Sequence, residues 1–106
     1  MSGSFDDRRK GFEAKWAHDA DMQFKIMARR NKLLGLWAAG EMGKSADEAA
    51  AYAKEVIAAD FEEAGDEDVF RKLRKDLGPQ IADQVIRHKM LDLLETAAEQ
   101  VQGEGK

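Results

Sequence analysis

Three aromatic side chains near the start of the chain have the spacing of a recognition surface. Phe5, Phe12 and Trp16 occupy positions i, i+7 and i+11, which lie within about 40° of one another on a helix. Mostly charged residues fill the positions between them, so a helix formed here is amphipathic with a narrow apolar stripe. The stripe is too narrow to anchor a hydrophobic core. We expect its aromatic side chains to be buried against a partner instead.

A comparison of free energies predicts that this segment does not fold alone. Burial of the aromatic side chains contributes about 1.5–3 kcal/mol each, whereas ordering roughly 14 residues costs about 1–2 kcal/mol per residue in backbone entropy. Gly11 adds about 1 kcal/mol against a helix. We therefore expect residues 1–18 to be mobile in the free protein and to fold on binding. An ordinary N-terminal helix packed on its own domain is the alternative.

The rest of the chain offers little for catalysis. It has no cysteine, no glycine-rich phosphate loop followed by lysine, and no His-Glu-x-x-His pattern for zinc. His18 and His88 are the only histidines, and neither has a partner at the helical spacing of a metal site. No nucleophile, base and orienting group can be combined. We predict a protein that is not an enzyme and needs no cofactor or metal.

Clusters of charge are open to two interpretations. The acidic residues between Asp60 and Asp68 lack the alternating spacing of a calcium loop, so we interpret them as a helix end followed by an acidic helix start. Asp60 lies on an apolar helix face, and we expect it to pair with a basic side chain. The basic runs 29–32 and 71–75 are interpreted as solvated helix faces. The alternative is a small helical nucleotide-binding or sensor protein that grips phosphate with these faces.

Length and composition indicate one small domain. The chain has 106 residues, 43% of them hydrophobic, with a single proline. It has no apolar run long enough for a membrane span and no apolar core of a secretory signal, so we expect a soluble cytoplasmic protein. The formal net charge of −4 argues against nucleic acid as a partner.

Every strong apolar period in the chain is helical. The first helix is predicted to begin near Ala20 and to end at Gly40 and Gly43. Its buried stripe is predicted to contain Phe24, Met27, Asn31, Leu34 and Ala38, widened by Ile26, Leu33 and Trp37. Ser45 and Glu48 have the spacing of a capping box that opens the second helix.

Two further helices complete the predicted fold. A short third helix is predicted to begin near Asp66 and to end at Gly78, with Val69, Phe70, Leu73 and Leu77 facing inward. A fourth is predicted to begin near Ile81, and its apolar side contains Ile86, Met90, Leu93, Leu94, Ala97 and Val101. The predicted fold is all-α, a compact antiparallel four-helix bundle with one short helix and a mobile N-terminal segment. The predicted division of the chain is a segment at 1–18, a bundle at 19–102 and a polar tail at 103–106.

Eight ungapped blocks of sequence, taken together, resemble one family. The blocks are FDDR (5–8), FEAKWAHD (12–19), FK (24–25), ARRNKLLGLWAA (28–39), AYAKEV (51–56), ADFEE (59–63), GDEDV (65–69) and IRHKM (86–90). In this order they resemble the small alphaproteobacterial zeta subunit that inhibits the F-type ATP synthase. The resemblance runs from about residue 5 to about residue 98.

The resemblance implies a mechanism and its partners. Members of the family are four-helix proteins whose mobile N-terminus enters a catalytic α/β interface of the synthase head, near the rotating γ shaft, and blocks ATP hydrolysis. The expected partners are therefore the α, β and γ subunits of that head, with no nucleic acid and with the membrane approached only through the synthase. A weak contact with adenine nucleotide is left open.

The corresponding inhibitory segment here runs from Ser4 to about His18. The residues expected to bind the partner are Phe5, Asp6, Asp7, Arg8, Arg9, Lys10, Phe12, Glu13, Lys15 and Trp16. The aromatic residues are expected to be buried anchors, the basic residues to pair with acidic groups or steer the encounter, and the two aspartates to cap the new helix. The segment departs from the family pattern in its basic run followed by Gly11 and in Trp16, where phenylalanine is common.

Overall fold

Four helices account for most of the chain that the structure describes. A computed structural model describes residues 19–60 and 66–104. The helices are α1 (Ala20–Glu41), α2 (Ala46–Ala59), α3 (Glu67–Asp76) and α4 (Asp83–Glu104). No strand is present in these residues, and none of their helices is long and apolar enough to cross a membrane. The all-α class and the four predicted helices are confirmed, whereas the predicted N-terminal segment lies outside the described residues.

Local capping explains where the helices begin and end. The Asp19 side chain accepts a hydrogen bond from the backbone N–H of Met22 at 3.1 Å and opens α1. Ser45 and Glu48 form the predicted capping box at the start of α2, with bonds of 3.2 and 2.9 Å. Gly43 has a φ of +73°, the left-handed conformation that lets the chain turn away after α1.

Contacts between distant residues show that neighbouring helices run antiparallel. In the first half of α1, Arg29 contacts Glu104 at the end of α4. Tyr52 of α2 contacts Asp76 at the end of α3. α1 packs against both α2 and α4, while the short α3 packs against the same two helices. The predicted antiparallel bundle is therefore confirmed, with α1 as its central helix.

The core consists of two clusters. The larger cluster contains Leu34, Ala38, Ala39, Tyr52, Val56, Val69, Leu73, Leu77, Ile86 and Met90. The smaller cluster, between the first half of α1 and the end of α4, contains Ile26, Ala97, Ala98 and Val101. Most of the buried residues predicted for α3 and α4 belong to these two clusters. The others are partly buried and pack against the edge of a cluster.

A glycine sets the distance between α1 and α2. A Cβ atom at Gly35 would lie 2.5 Å from the Cα of Ala53, closer than any real contact. The absence of a side chain at Gly35 and the small one at Ala53 thus let the two backbones approach closely. This contact packs the middle of α1 against the middle of α2.

The predicted buried stripe of α1 is wrong at its start. Phe24 is 59% exposed, whereas Ile26 and Arg30 are fully buried. A single stripe assumes one neighbour, but α1 is covered on two sides, so its buried positions form pairs such as 30 and 31 or 34 and 35. Phe24 lies at the edge of these contacts, beside Ile57 of α2 and Val101 of α4.

The ion pair predicted for Asp60 is also wrong. α2 ends at Ala59, so Asp60 forms the C-cap and leaves the apolar face, and it has no ion pair with any described residue. The acid that pairs with the buried Arg30 is instead Asp66, at 3.0 Å, and its own side chain remains half exposed. At the other end of the bundle domain, α4 continues to Glu104, beyond the predicted start of the polar tail.

Candidate functional site

The residues predicted to bind a partner all lie outside the described part of the chain. They are Phe5, Asp6, Asp7, Arg8, Arg9, Lys10, Phe12, Glu13, Lys15 and Trp16. The structure therefore describes the body that follows this segment, beginning at Asp19. Any contact surface that the structure shows therefore lies on this body.

The first half of α1 carries an apolar surface feature. Phe24 borders a shallow groove of about 300 Å³. The apolar residues that line the groove are Phe24, Ala28, Ile57 and Val101, and the charged residues are Lys25, Arg29, Lys32 and Glu104. α1, α2 and α4 all contribute to this lining. We call this feature the Phe24 groove.

The basic run of α1 divides between the surface and the interior. Arg29 donates to Gln100 Oε1 at 2.8 Å and lies 2.7 Å from Glu104, which ties α1 to the end of α4. Arg30 is 1% exposed; its Nε donates to Asn31 at 2.9 Å and its Nη2 to Asp66 at 3.0 Å. A buried guanidinium needs such partners because charge is costly to remove from water. Arg30 is therefore structural.

The basic run of α3 is largely occupied by carboxylates. Lys72 lies 3.0 Å from Glu55 and 3.1 Å from Asp76. Arg74 lies 2.6 Å from Asp83, and Arg71 pairs with Asp68. These pairs neutralise much of the positive charge that a phosphate would require. The interpretation as a solvated helix face is favoured over a phosphate grip.

Tyr52 lies at the centre of a polar network between α2 and α3. Its hydroxyl donates to Asp76 at 2.7 Å, and Lys72 Nζ lies 4.9 Å from its ring centroid. Burial, followed by this hydrogen bond, raises the pKa of Tyr52 above its ordinary value. Partial burial alone would raise the pKa of Asp76, but the hydrogen bonds from Tyr52 and Lys72 outweigh it and hold that pKa below its ordinary value. The network fastens α3 to α2.

No metal site is found in residues 19–60 and 66–104. These residues contain no group of three or more histidine, aspartate or glutamate side chains placed to hold an ion. His88 is exposed on α4, and His18 lies outside the described residues. Neither histidine supplies a reason to place catalysis on the body.

Comparison with known protein families identifies the family of this chain. The family model for ATPase inhibitor subunit zeta matches residues 1–100. The chain belongs to this family. A search of curated proteins finds no significant match. One solved protein structure, determined by solution NMR, is 54% identical to this zeta-family chain, with a TM-score of 0.74, and the match covers 78% of this chain and 98% of that one.

Family membership gives this zeta subunit a general role. It is an inhibitor of an ATPase, and therefore a regulatory protein whose partner is an ATP synthase. The resemblance based on the eight sequence blocks is thus confirmed. The family match includes the whole of segment 1–18 as well as most of the bundle.

Two features of the body were missed by the sequence reasoning. Arg30 lies four residues after Ile26 and four before Leu34, so helical spacing already placed it on a buried face. Its charge led to the opposite assignment. The contact of Tyr52 with Asp76 had no signal in the sequence, because it joins residues on different helices.

Proposed function

We propose that this chain inhibits ATP hydrolysis by the F-type ATP synthase through residues 1–18. In this proposal the segment folds into a helix as it enters a catalytic α/β interface of the head, near the γ shaft. The observation that carries the proposal is the family match, which begins at residue 1 and therefore includes the aromatic stripe. We place the protein in the cytoplasm, where it reaches the membrane only through the synthase.

Each residue type in the segment has a distinct role in this proposal. Phe5, Phe12 and Trp16 are anchors buried on binding, as aromatic hot spots in interfaces are. The basic residues Arg8, Arg9, Lys10 and Lys15 speed the encounter with an acidic surface more than they hold the complex. Asp6 and Asp7 lie at the start of the proposed helix, where negative charge is favourable.

The body holds α1, the helix that follows this segment, in a fixed position. α1 follows the segment directly and is held between α2 and α4 by the contacts of Gly35 and Arg29. If the new helix joins α1, a rod from Phe5 to Ala38 spans about 50 Å at 1.5 Å per residue. Such a rod would obstruct a rotary interface while the remaining helices stay outside.

Deletion of residues 1–18 tests the proposal. Purified full-length and truncated proteins are added to detergent-activated ATP synthase from the same cell, and ATP hydrolysis is followed. We expect the truncated protein to lose inhibition. Its thermal unfolding should change little, because the buried members of the two core clusters in the described part of the chain all lie at Ile26 or later. Inhibition by a folded truncated protein would move the inhibitory surface onto the bundle.

Point variants of the full chain refine the same test. Phe12→Ala should weaken inhibition by about 2–4 kcal/mol, as truncation of a hot spot does. Val85→Ala is the matched control, since Val85 is an exposed apolar residue (44%) on α4, far along the chain from the segment. Equal inhibition by Phe12→Ala and the parent protein would show that the aromatic stripe is not the recognition element.

A further inference from the structure

Phe24 is the most exposed of the large hydrophobic residues in the described part of the chain. It is 59% exposed, compared with 44% for Val85 and 38% for Leu36. A single exposed apolar side chain is ordinary on a protein surface. Phe24 differs because it borders a groove with an apolar floor formed by Ala28, Ile57 and Val101. Aromatic side chains are enriched at the buried centres of protein interfaces, so an exposed ring beside an apolar groove is typical of a contact surface.

The rim of the Phe24 groove is mainly cationic. Lys25 and Lys32 are exposed, and neither forms an ion pair with a residue that the structure describes. Arg29 is held in place by Glu104, so the rim includes one fixed guanidinium. An apolar centre with cations around it is complementary to a partner surface that has an apolar pocket bordered by carboxylates.

The position of Phe24 in the chain connects this groove to the inhibitory segment. Trp16 and Phe24 are eight positions apart, which is about 12 Å along a continuous helix. Even a fully extended chain of this length spans only about 26–29 Å. Whatever binds Trp16 therefore lies within reach of the first half of α1. A surface on α1 next to a bound segment is therefore close enough to contact the same partner.

We propose that the Phe24 groove is a second contact surface for the catalytic head of the ATP synthase. Phe24 enters an apolar pocket on the head, and Lys25 and Lys32 face its acidic border. This inference rests on the proposed function, because it takes the inhibitory segment to bind the same head. It assigns the groove a role that the segment alone does not require: it fixes the direction in which the body leaves the interface.

Inhibition constants for full-length variants test this proposal. Phe24→Ala should weaken inhibition by about tenfold, whereas Phe24→Leu, which keeps the apolar surface, should retain most of it. Val85→Ala is the control at the other end of α4, and it should inhibit like the parent. Thermal unfolding should be unchanged in each variant, since the Phe24 and Val85 side chains are largely exposed.

A charge variant tests the rim separately. Lys25→Glu should slow association with the head at low salt, and the difference from the parent should shrink as the salt concentration rises. A mutation that acted only on the fold would not produce this salt dependence. Equal association rates at low salt would overturn the role assigned to the rim.

Phe12→Ala measured beside Phe24→Ala separates this inference from the proposed function. If Phe12→Ala weakens inhibition and Phe24→Ala does not, the segment binds but the groove is not a contact surface. If only Phe24→Ala weakens inhibition, the groove is a contact surface and the aromatic stripe is not. Sedimentation of the free protein tests whether a second copy of the chain occupies the Phe24 groove. Self-association that Phe24→Ala abolishes would overturn the assignment to the synthase.

Discussion

The two halves of α1 use the same helix for different purposes. Among residues 20–29 only Ile26 is buried, whereas six residues are buried among 30–39. The second half contacts α2 closely at Gly35 and carries the buried Arg30. The first half presents Phe24 and its groove to the surface. The second half thus anchors most of the helix, and we propose that the first half contacts the partner, so stability and recognition should respond to different mutations.

The largest expected effect on stability is that of Arg30→Ala. This change leaves a cavity and removes the donor to Asn31, so it should lower the free energy of unfolding by about 2–4 kcal/mol. Arg29→Ala is the matched control: its partner Glu104 is solvent-exposed, and the loss should be at most about 1 kcal/mol. Urea unfolding measures both. Equal losses of unfolding free energy would mean that the two halves of α1 contribute equally to stability.

Gly35→Ala should have the next largest effect. The added methyl group would meet the backbone of Ala53, so the two helices must separate, and we expect a loss of about 1–3 kcal/mol. Gly40→Ala is the matched control, because nothing lies within 4 Å of its added Cβ and alanine has the higher helix propensity. Thermal unfolding should show opposite shifts for the two variants. A stable Gly35→Ala protein would contradict the close approach of α1 and α2.

Gly11→Ala should change inhibition without changing the body. Alanine raises helix propensity by about 1 kcal/mol, so less ordering cost remains on binding. Inhibition should strengthen by up to about fivefold, unless the partner surface approaches the backbone too closely for a methyl group. The inhibition constant is measured beside the midpoint of thermal unfolding, which should not move. Weaker inhibition would indicate that close approach.

The smallest expected effect is a dependence of stability on acid pH. The pKa of Asp76 in the folded state lies below its ordinary value of 3.8. Its contribution to stability is therefore present above about pH 3.8 and is lost as the pH falls through the folded-state pKa. The difference in unfolding free energy between the parent and Asp76→Asn should be constant near neutral pH and shrink below pH 4. Inhibition at neutral pH should be the same for both proteins.

Local signals in the sequence were sufficient for much of the fold. Ser45 and Glu48 predicted the start of α2, because a capping box depends only on residues within one turn. The buried faces of α3 and α4 were largely predicted, since their apolar residues recur at helical spacing, although Phe70, Leu93 and Leu94 are only partly buried. Phe24 was placed wrongly because periodicity locates one apolar stripe and not the second contact of a central helix.

Long-range contacts were beyond the reach of the sequence. Arg30 is buried because Asp66, 36 residues later, supplies its counter-charge. Asp60 was wrongly expected to pair with a basic side chain, because α2 ends one residue before it and Asp60 becomes the C-cap. The partner-binding residues of segment 1–18 stay a prediction from the sequence and the family.

The sequence by itself determined the helical class, the capping box of α2, the family and the aromatic stripe that we assign to the partner. Each of these depends on residues close together in the chain or on a pattern spread along it. Only the tertiary structure decided which arginine of the first basic run is interior and which is surface, and that Phe24 borders a groove. Those properties follow from where α2 and α4 cover α1, and the packing of three helices is set by contacts between residues far apart in sequence.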